Sequence, residues 1–296
     1  MNNKPLFSVV TICYNAENCI KKTIESVLAQ AGDISAGDNT PFLDFEYIIQ
    51  DGASSDSTLD IVASYKEAFE RAGVSFIINS GKDAGIYDAM NRAVEASSGE
   101  YVIFMNSDDC FYSESVLSSV AGKLKDYSYD NNTLPDIVYG DCIVKELGMY
   151  FLYRKTFDQI KERMPFSHQA CFAKRELLVE NPLNTSYRIT ADYGFILSSY
   201  LKNKSFFDSD IRIALVTGDG LSTVNILDTF VEVNSLCNDL NMPRYTESEY
   251  AKKLKEIKLK QFVITYFPNF IKRIIRKNQI KKRGQITDVT IPSWCK

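Results

Sequence analysis

The sequence predicts an α/β protein with a mainly parallel sheet flanked by helices, and three observations carry that expectation. Short apolar, β-branched runs recur at FSVVTIC (7–13), FEYIIQ (45–50), VSFIIN (74–79) and YVIFM (101–105). Between them lie stretches with helical spacing, so strand and helix alternate four times by residue 105. Each strand is followed by a polar cluster, YN, DGASSD, SGKDAG and NSDD in turn. In a parallel sheet these clusters converge on the carboxyl edge, where ligands bind.

The individual elements follow from local pattern. After the first strand, Ile20, Ile24, Val27 and Leu28 share one helical face, with Asn15 placed as its N-cap. A polar loop over 32–40 is longer than most connections. TLDIVASYKEAFE reads as one helix, and another covers 86–96. In the second half, DIVYGDCIVKE and the run from Met149 read as antiparallel strands joined through Gly148. SHQACFAKRELL reads as strand then helix, ITADYGFILSSYL as helix, and IRIALV as a late strand followed by the loop TGDGLST. Internal repeats and low-complexity tracts are absent from the sequence.

A chain of 296 residues suffices for one large α/β domain, with or without a smaller appendage. MNNKPLFSVV lacks a basic-then-apolar leader, so no signal peptide is expected. No apolar stretch approaches the roughly 20 residues of a membrane helix. The seven cysteines are scattered, without C-x-x-C spacing, as buried free thiols of a reducing, cytoplasmic compartment would be. The net charge of −4 hides an asymmetry, because residues 252–283 hold 12 Lys and Arg against the single acid Glu256.

The motifs narrow the chemistry. Neither G-x-G-x-x-G nor G-x-x-x-x-G-K-[ST] occurs, which argues against a dinucleotide enzyme or a P-loop ATPase. Asp108 and Asp109, directly after a strand, suit a turn or helix cap. They equally suit an open Mg2+ or Mn2+ site completed by phosphate oxygens of a ligand. DGASSDST reads as a glycine turn with a Ser/Asp cap, but a cap does not require Asp51, whose carboxylate could accept from a base N–H or a ribose hydroxyl. In SGKDAGIYDAMNRA, Gly81 and Gly85 free the backbone while Lys82, Asp83, Tyr87, Asn91 and Arg92 crowd a helix start, where anions are favoured.

Taken together, SVVTICYN, FEYIIQDGASSDST, GKDAGIYDAMNRAVEASSGEYVIFMNSDD, SHQA and ITADYGF, in this order, resemble glycosyltransferase family two, and within it the bacterial members that build cell-surface polysaccharides. The likeness spans residues 6–225. It implies a GT-A fold, a nucleotide-sugar donor, Mg2+ or Mn2+, and inversion at the anomeric carbon. It implies that Thr11, Tyr14 and Asn15 line the nucleotide pocket and that Asp51 contacts the base, commonly uracil. By the same resemblance Lys82, Asp83, Gly85 and Asn91 border diphosphate, ribose and sugar. Asn106-Ser107-Asp108 stands at the family's D-x-D position, with Asn106 where many members have Asp. This leaves Asp108 as metal ligand and Asp109 as a supporting or helix-capping residue. Asp192, which alone would read as a helix cap, matches the general base. His168 and Gln169 stand where relatives keep a His-Gln pair near the acceptor, and TGDGLST where relatives keep a loop near the donor.

The expected organisation is a GT-A domain over 1–225, with a nucleotide-binding half (1–109) and an acceptor-side half (110–225), then a helical basic extension over 226–296. In the extension Phe267, Phe270, Ile271, Ile274 and Ile275 fall on one helical face, with Lys272, Arg273, Arg276 and Lys277 between them. Such a helix either packs on the domain or lies on an anionic membrane surface. The second suits an enzyme at the inner face of the plasma membrane with a polyprenyl-diphosphate-linked saccharide acceptor, itself implied only by the resemblance. No nucleic-acid recognition module is present. A non-catalytic nucleotide-sugar-binding or membrane scaffold protein of the same fold would keep Asp51 and the glycine loops but could dispense with Asp108 or Asp192, and both are here. A nucleotidyltransferase would show a Gly-rich, Arg-containing loop where YNAEN stands.

Overall fold

The computed structural model describes residues 4–32, 44–146, 148–153, 155–218, 220 and 225–283, together with 289, 292 and 294. The expected loop beyond Gly32 and most of TGDGLST lie outside the described residues. Strands β1 (Phe7–Cys13), β2 (Phe45–Asp51), β3 (Ser75–Ser80) and β4 (Tyr101–Phe104) run parallel in the order β3-β2-β1-β4. β1 and β2 are buried along their whole length, as central strands covered on both faces must be.

Period-two alternation sorts their side chains between two cores. Phe7, Val9, Tyr47, Ile49, Tyr101 and Ile103 face one layer. It holds α1 (Ile20–Leu28), α2 (Thr58–Ala63), α3 (Lys66–Arg71) and α5 (Val116–Asn131). Val10, Ile12, Ile48, Val102 and Phe104 face the other. There lie α4 (Ile86–Ala96), α6 (Arg175–Glu180), α7 (Ala191–Leu201) and α8 (Ile226–Asp239).

Beyond β4 the nine-stranded sheet becomes mixed, in the order β8-β6-β9-β5. β8 (Cys171–Lys174) is antiparallel to both β4 and β6 (Ile137–Glu146). β9 (Phe206–Thr217) is parallel to β6 and antiparallel to the short β5 (Cys110–Phe111). β7 (Met149–Tyr153) pairs antiparallel with β6, as the sequence predicts for the turn through Gly148. The predicted α/β architecture, mainly parallel in its first half and flanked by helices, is the one observed.

Three expectations change. The run expected as one helix over 58–70 divides at Ser64–Tyr65. The Ser64 hydroxyl donates to Ile61 O (2.6 Å), and Tyr65 turns its hydroxyl to Glu25 (3.0 Å). That local back-bond competes with the helix ladder. Asn15 is not an N-cap, since α1 begins only at Ile20 with Cys19 at the cap position. Asn15 sits at φ 49° and accepts from Ser55 N (2.9 Å), tying the exit of β1 to the loop after β2. Residue 225 is not a packing boundary either. Leu236 and Cys237 of α8 are buried in the second core, whereas α9 (Glu247–Tyr266) buries none of its residues. α10 (Asn269–Arg283) follows it. All six described cysteines are free thiols.

At the opposite edge from the polar clusters, Glu46 is buried and accepts from the Ser8 hydroxyl (2.6 Å) and the Ser98 hydroxyl (2.9 Å). Gly99 N donates to Ser8 Oγ (2.8 Å), and a Cβ on Gly99 would lie 2.6 Å from Ser8 N and 2.8 Å from Phe7 C. Main chain cannot yield as a side-chain tip does. Gly99→Ala is therefore expected to lower stability by about 1–3 kcal/mol, the usual cost of overpacking, read as a shift in the urea midpoint.

Candidate active site

The carboxyl edge of the parallel strands is organised around Asp51. The register aligns Cys13, Asp51 and Ser80 in one row, and the Asp51 side chain is fully buried there. It accepts from Ser54 N (3.0 Å), from the Ser54 hydroxyl, from the Ser80 hydroxyl (2.7 Å) and, weakly, from Cys13 Sγ (3.7 Å). With these donors on both oxygens, a base would meet Asp51 only by displacing one of them. Its evident work is to hold the turn that follows β2. In that turn Gly52 lets its neighbours approach, since a Cβ there would lie 2.8 Å from Asp83 Oδ2 and 3.4 Å from the Tyr14 ring. Tyr14 is 66% exposed. Tyr14 and Asp83 thus meet closely over Gly52 at the exits of β1, β2 and β3.

The segment before α4 is tied down at several points. Asp83 Oδ1 accepts from Gly85 N (3.0 Å), and Asp88 Oδ2 accepts from Ala84 N (2.9 Å) and pairs with Arg92 (2.8 Å). Gly85, at φ 123°, forms the start of α4, and Lys82 remains exposed beside it. Two predicted donor residues are elsewhere. The Thr11 hydroxyl is buried within the sheet, donating to Met105 O (2.7 Å) and accepting from Tyr47 (2.9 Å). Asn91 spends its amide on the main chain of Leu183, donating at 2.8 Å and accepting at 2.9 Å, and so clamps α4 to the loop after α6.

A cavity of about 790 Å3 is lined by Asn106, Ser107, Asp108 and Asp109, by His168 and Gln169, and by Tyr87 and Asp192. The two adjacent acids diverge. Asp108 keeps 44% of its side chain exposed and pairs with Lys22 of α1. Asp109 is 5% exposed and accepts from Gln169 Nε2 (2.9 Å), so it caps no helix. Burial, opposed by that bond, pushes the Asp109 carboxyl up to about 6.

Asp192 lies in the first turn of α7. Its Oδ1 accepts from Tyr193 N (2.8 Å) and from the Tyr87 hydroxyl (3.1 Å), and its Oδ2 faces His168 Nδ1 at 3.3 Å. His168 Nε2 in turn lies 3.3 Å from Asn106 Nδ2. With Nδ1 protonated, the bonds run in one direction from Asn106 through His168 to Asp192. Burial works to raise Asp192, but the bond and charge of His168, helped by Tyr193 and Tyr87, outweigh it and hold the carboxyl below its usual range. For His168, burial works to lower the imidazole, and Asp192 with Asp109 overrides it. Burial and Asp192 push the Tyr87 phenol up, so it remains a donor.

Asn106 Oδ1 is buried without a hydrogen-bond partner among the described residues. An orphaned acceptor is costly, and oxygen is the donor a hard cation takes. Among the described residues no group of three or more His, Cys, Asp or Glu could hold a metal by itself. Asp108 with Asn106 Oδ1 fits a divalent ion that brings further oxygen ligands with it, and Lys22 would have to release Asp108. Lys22 and Ser80 escaped the sequence reading, because partners as far apart in the chain as Lys22 and Asp108 or Ser80 and Asp51 leave no local pattern.

A parallel sheet that turns mixed beyond β4, with a carboxylate-bearing cavity at its carboxyl edge, is the architecture of a GT-A fold. Glycosyl transferase family 2 matches residues 8–182, and the chain belongs to that family. It is 30% identical over 192 residues to the PGL/p-HBAD biosynthesis glycosyltransferase of Mycobacterium tuberculosis, covering 64% of this chain and 68% of that protein. It is 30% identical over 207 residues to the poly(ribitol-phosphate) beta-glucosyltransferase of Bacillus spizizenii, covering 67% of this chain but 30% of the relative. Among solved structures, S. aureus TarS 1-349 in complex with UDP-GlcNAc superposes with a TM-score of 0.55 at 18% identity, over 88% of this chain and 73% of that one. The mannosyltransferase PcManGT of Pyrobaculum calidifontis, with GDP-Man and Mn2+, reaches 0.58 at 13% identity, over 88% and 70%. The bacterial surface-polysaccharide type expected from the sequence agrees with these relatives.

The single histidine makes the His168–Asp192 pair directly measurable. A raised imidazole contributes stability that is full below its ordinary 6.5 and is lost as pH rises through the folded value. The lowered Asp192 contributes above its ordinary 3.8 and is lost as pH falls through its own folded value. An NMR titration in EDTA should find His168 above 6.5, and Asp192→Asn should bring it down. An unchanged titration in the variant would dissolve the pair.

Proposed function

We propose that this glycosyltransferase is an inverting enzyme that moves a sugar from a UDP-sugar to a saccharide acceptor. The observation that carries the reading is Asp192, a carboxylate kept ionised on the cavity wall beside Asn106–Asp108. In the reaction the acceptor hydroxyl attacks the sugar C1 as the bond from C1 to the diphosphate breaks. The hydroxyl proton passes to Asp192, and the nucleotide leaves with its negative charge. Tyr87, Tyr193 N and His168 orient the Asp192 oxygens, while Gln169 holds Asp109 behind them. Tyr14 stacks on the base, Asn15 and Asp51 fix the loops around it, and Asp83, Gly85 and Lys82 border the ribose and diphosphate. Mg2+ or Mn2+ on Asp108 would supply positive charge to the departing diphosphate. The nucleotide-sugar complexes of the structural neighbours support the donor class, and the Mn2+ complex supports the ion.

The C-terminal helices favour a location at a membrane surface. Phe262, Tyr266, Phe270 and Ile274 are 52%, 71%, 66% and 57% exposed, and Lys272, Arg273 and Lys277 lie among the last of them. Among the described residues no helix is long and apolar enough to cross a membrane. We read this face as docking on anionic lipid at the cytoplasmic side, with the core and its sheet held beside a lipid-linked acceptor.

Calorimetry with UDP, GDP and CDP, each with Mn2+ and with EDTA, tests the donor site. Metal-dependent binding of UDP is expected, and Asp108→Ala should abolish the metal dependence. Asp192→Asn should leave UDP binding intact while lowering transfer by about 10²-fold or more. UDP binding without transfer by the wild type would favour the non-catalytic binding protein instead. Phe270→Ser with Ile274→Ser in the full chain should release it from phosphatidylglycerol vesicles, and retention would show that these side chains are not the anchor.

A further inference from the structure

The cavity carries guanidinium groups that catalysis by Asp192 does not require. Three arginines line it from three separate segments: Arg163 before β8, Arg188 between α6 and α7, and Arg244 between α8 and α9. None forms an ion pair among the described residues. Arg163 and Arg188 are exposed, and Arg244 lies over the Tyr245 ring at 5.3 Å. Arg188 is held by its main chain, since Glu232 accepts from Arg188 N (3.0 Å) and Ile189 N (2.8 Å), leaving the guanidinium unengaged.

Carboxylates line the same cavity, and several of them have partners of their own. Asp108 is paired with Lys22, Asp192 with His168, and Asp109 is turned to Gln169. Glu146 and Glu162 complete the acids.

Guanidinium groups present paired N–H donors that match phosphate and carboxylate oxygens. Clustered in a cleft, they also draw anions in from solution. We infer that the acceptor carries a negative group, a phosphate or a carboxylate, near the hydroxyl it offers to Asp192. The word acceptor rests on the glycosyltransferase reading; the anion site itself does not.

His168 lies in the same cavity and gives one imidazole resonance, which makes it a local reporter. The protein saturated with UDP and Mg2+ is titrated with sn-glycerol 3-phosphate, D-glucuronate, glycerol and D-glucose at constant pH and ionic strength. Either anion should shift the His168 signal saturably, and the neutral probes should not. Arg163→Gln with Arg188→Gln, both exposed and distant from the folding core, should weaken that binding at least about tenfold, with thermal melts unchanged. Arg188→Glu should weaken it further while UDP binding persists. Equal shifts from neutral and anionic probes, or wild-type anion affinity in the double variant, would overturn the inference. Failure of the wild type to bind UDP would overturn the donor reading alone, and the anion titration repeated without nucleotide would still decide this one.

Discussion

The site depends on one constraint, the placement of β1 between two parallel neighbours. Because β2 and β4 both run with β1, the chain leaves β1, β2, β3 and β4 at a single edge. Asp51 makes that edge rigid. A carboxylate taken out of water is tolerated only when its oxygens are satisfied, and Ser54 in the turn after β2 and Ser80 at the end of β3 satisfy it. The exits of β2 and β3 are thereby held at fixed positions, and with them Gly52 and Asp83. Asn15 does the same for the exit of β1 through Ser55.

The acids around the cavity illustrate how environment divides like residues into unlike roles. Asp108 and Asp109 are neighbours in sequence, yet one is open to solvent and the other is sealed beneath it against Gln169. Asp192 is held by three donors and stays ionised, the state a proton acceptor needs. Its lowered proton affinity is the consequence of those donors. His168 touches both Asn106 and Asp192, so the metal-motif side and the base side of the cavity share one ring.

The C-terminal helices separate two roles that composition alone merges. α8 contributes Leu236 and Cys237 to the core and leaves Gly194 of α7 only enough room for a hydrogen. α9 packs on α8 through Tyr250 against Phe230, at 5.4 Å between rings, then continues outward with its later aromatics exposed. Exposed apolar side chains of α9 and α10 thus lack, among the described residues, the cover that α8 finds, with cations interleaved among them.

The sequence by itself determined the strands 7–13 and 45–50, the helix 86–96, the parallel first half and the edge where the polar clusters gather. Those features come from period-two and 3.6-residue patterns, which are local and survive in a linear string. It also pointed to Asp108, His168, Gln169 and Asp192, because motif residues keep their order. Only tertiary structure decided that Thr11 and Asn91 face inward, that Asp51 is spent on Ser54 and Ser80, and that Lys22 meets Asp108. The same holds for the arginines 163, 188 and 244, which line one cavity although they come from three loops. These are contacts between distant segments, set by which face of a strand or helix is already occupied. A spacing rule reports the face a residue lies on, whereas the partner waiting there is chosen by the packing of the whole sheet.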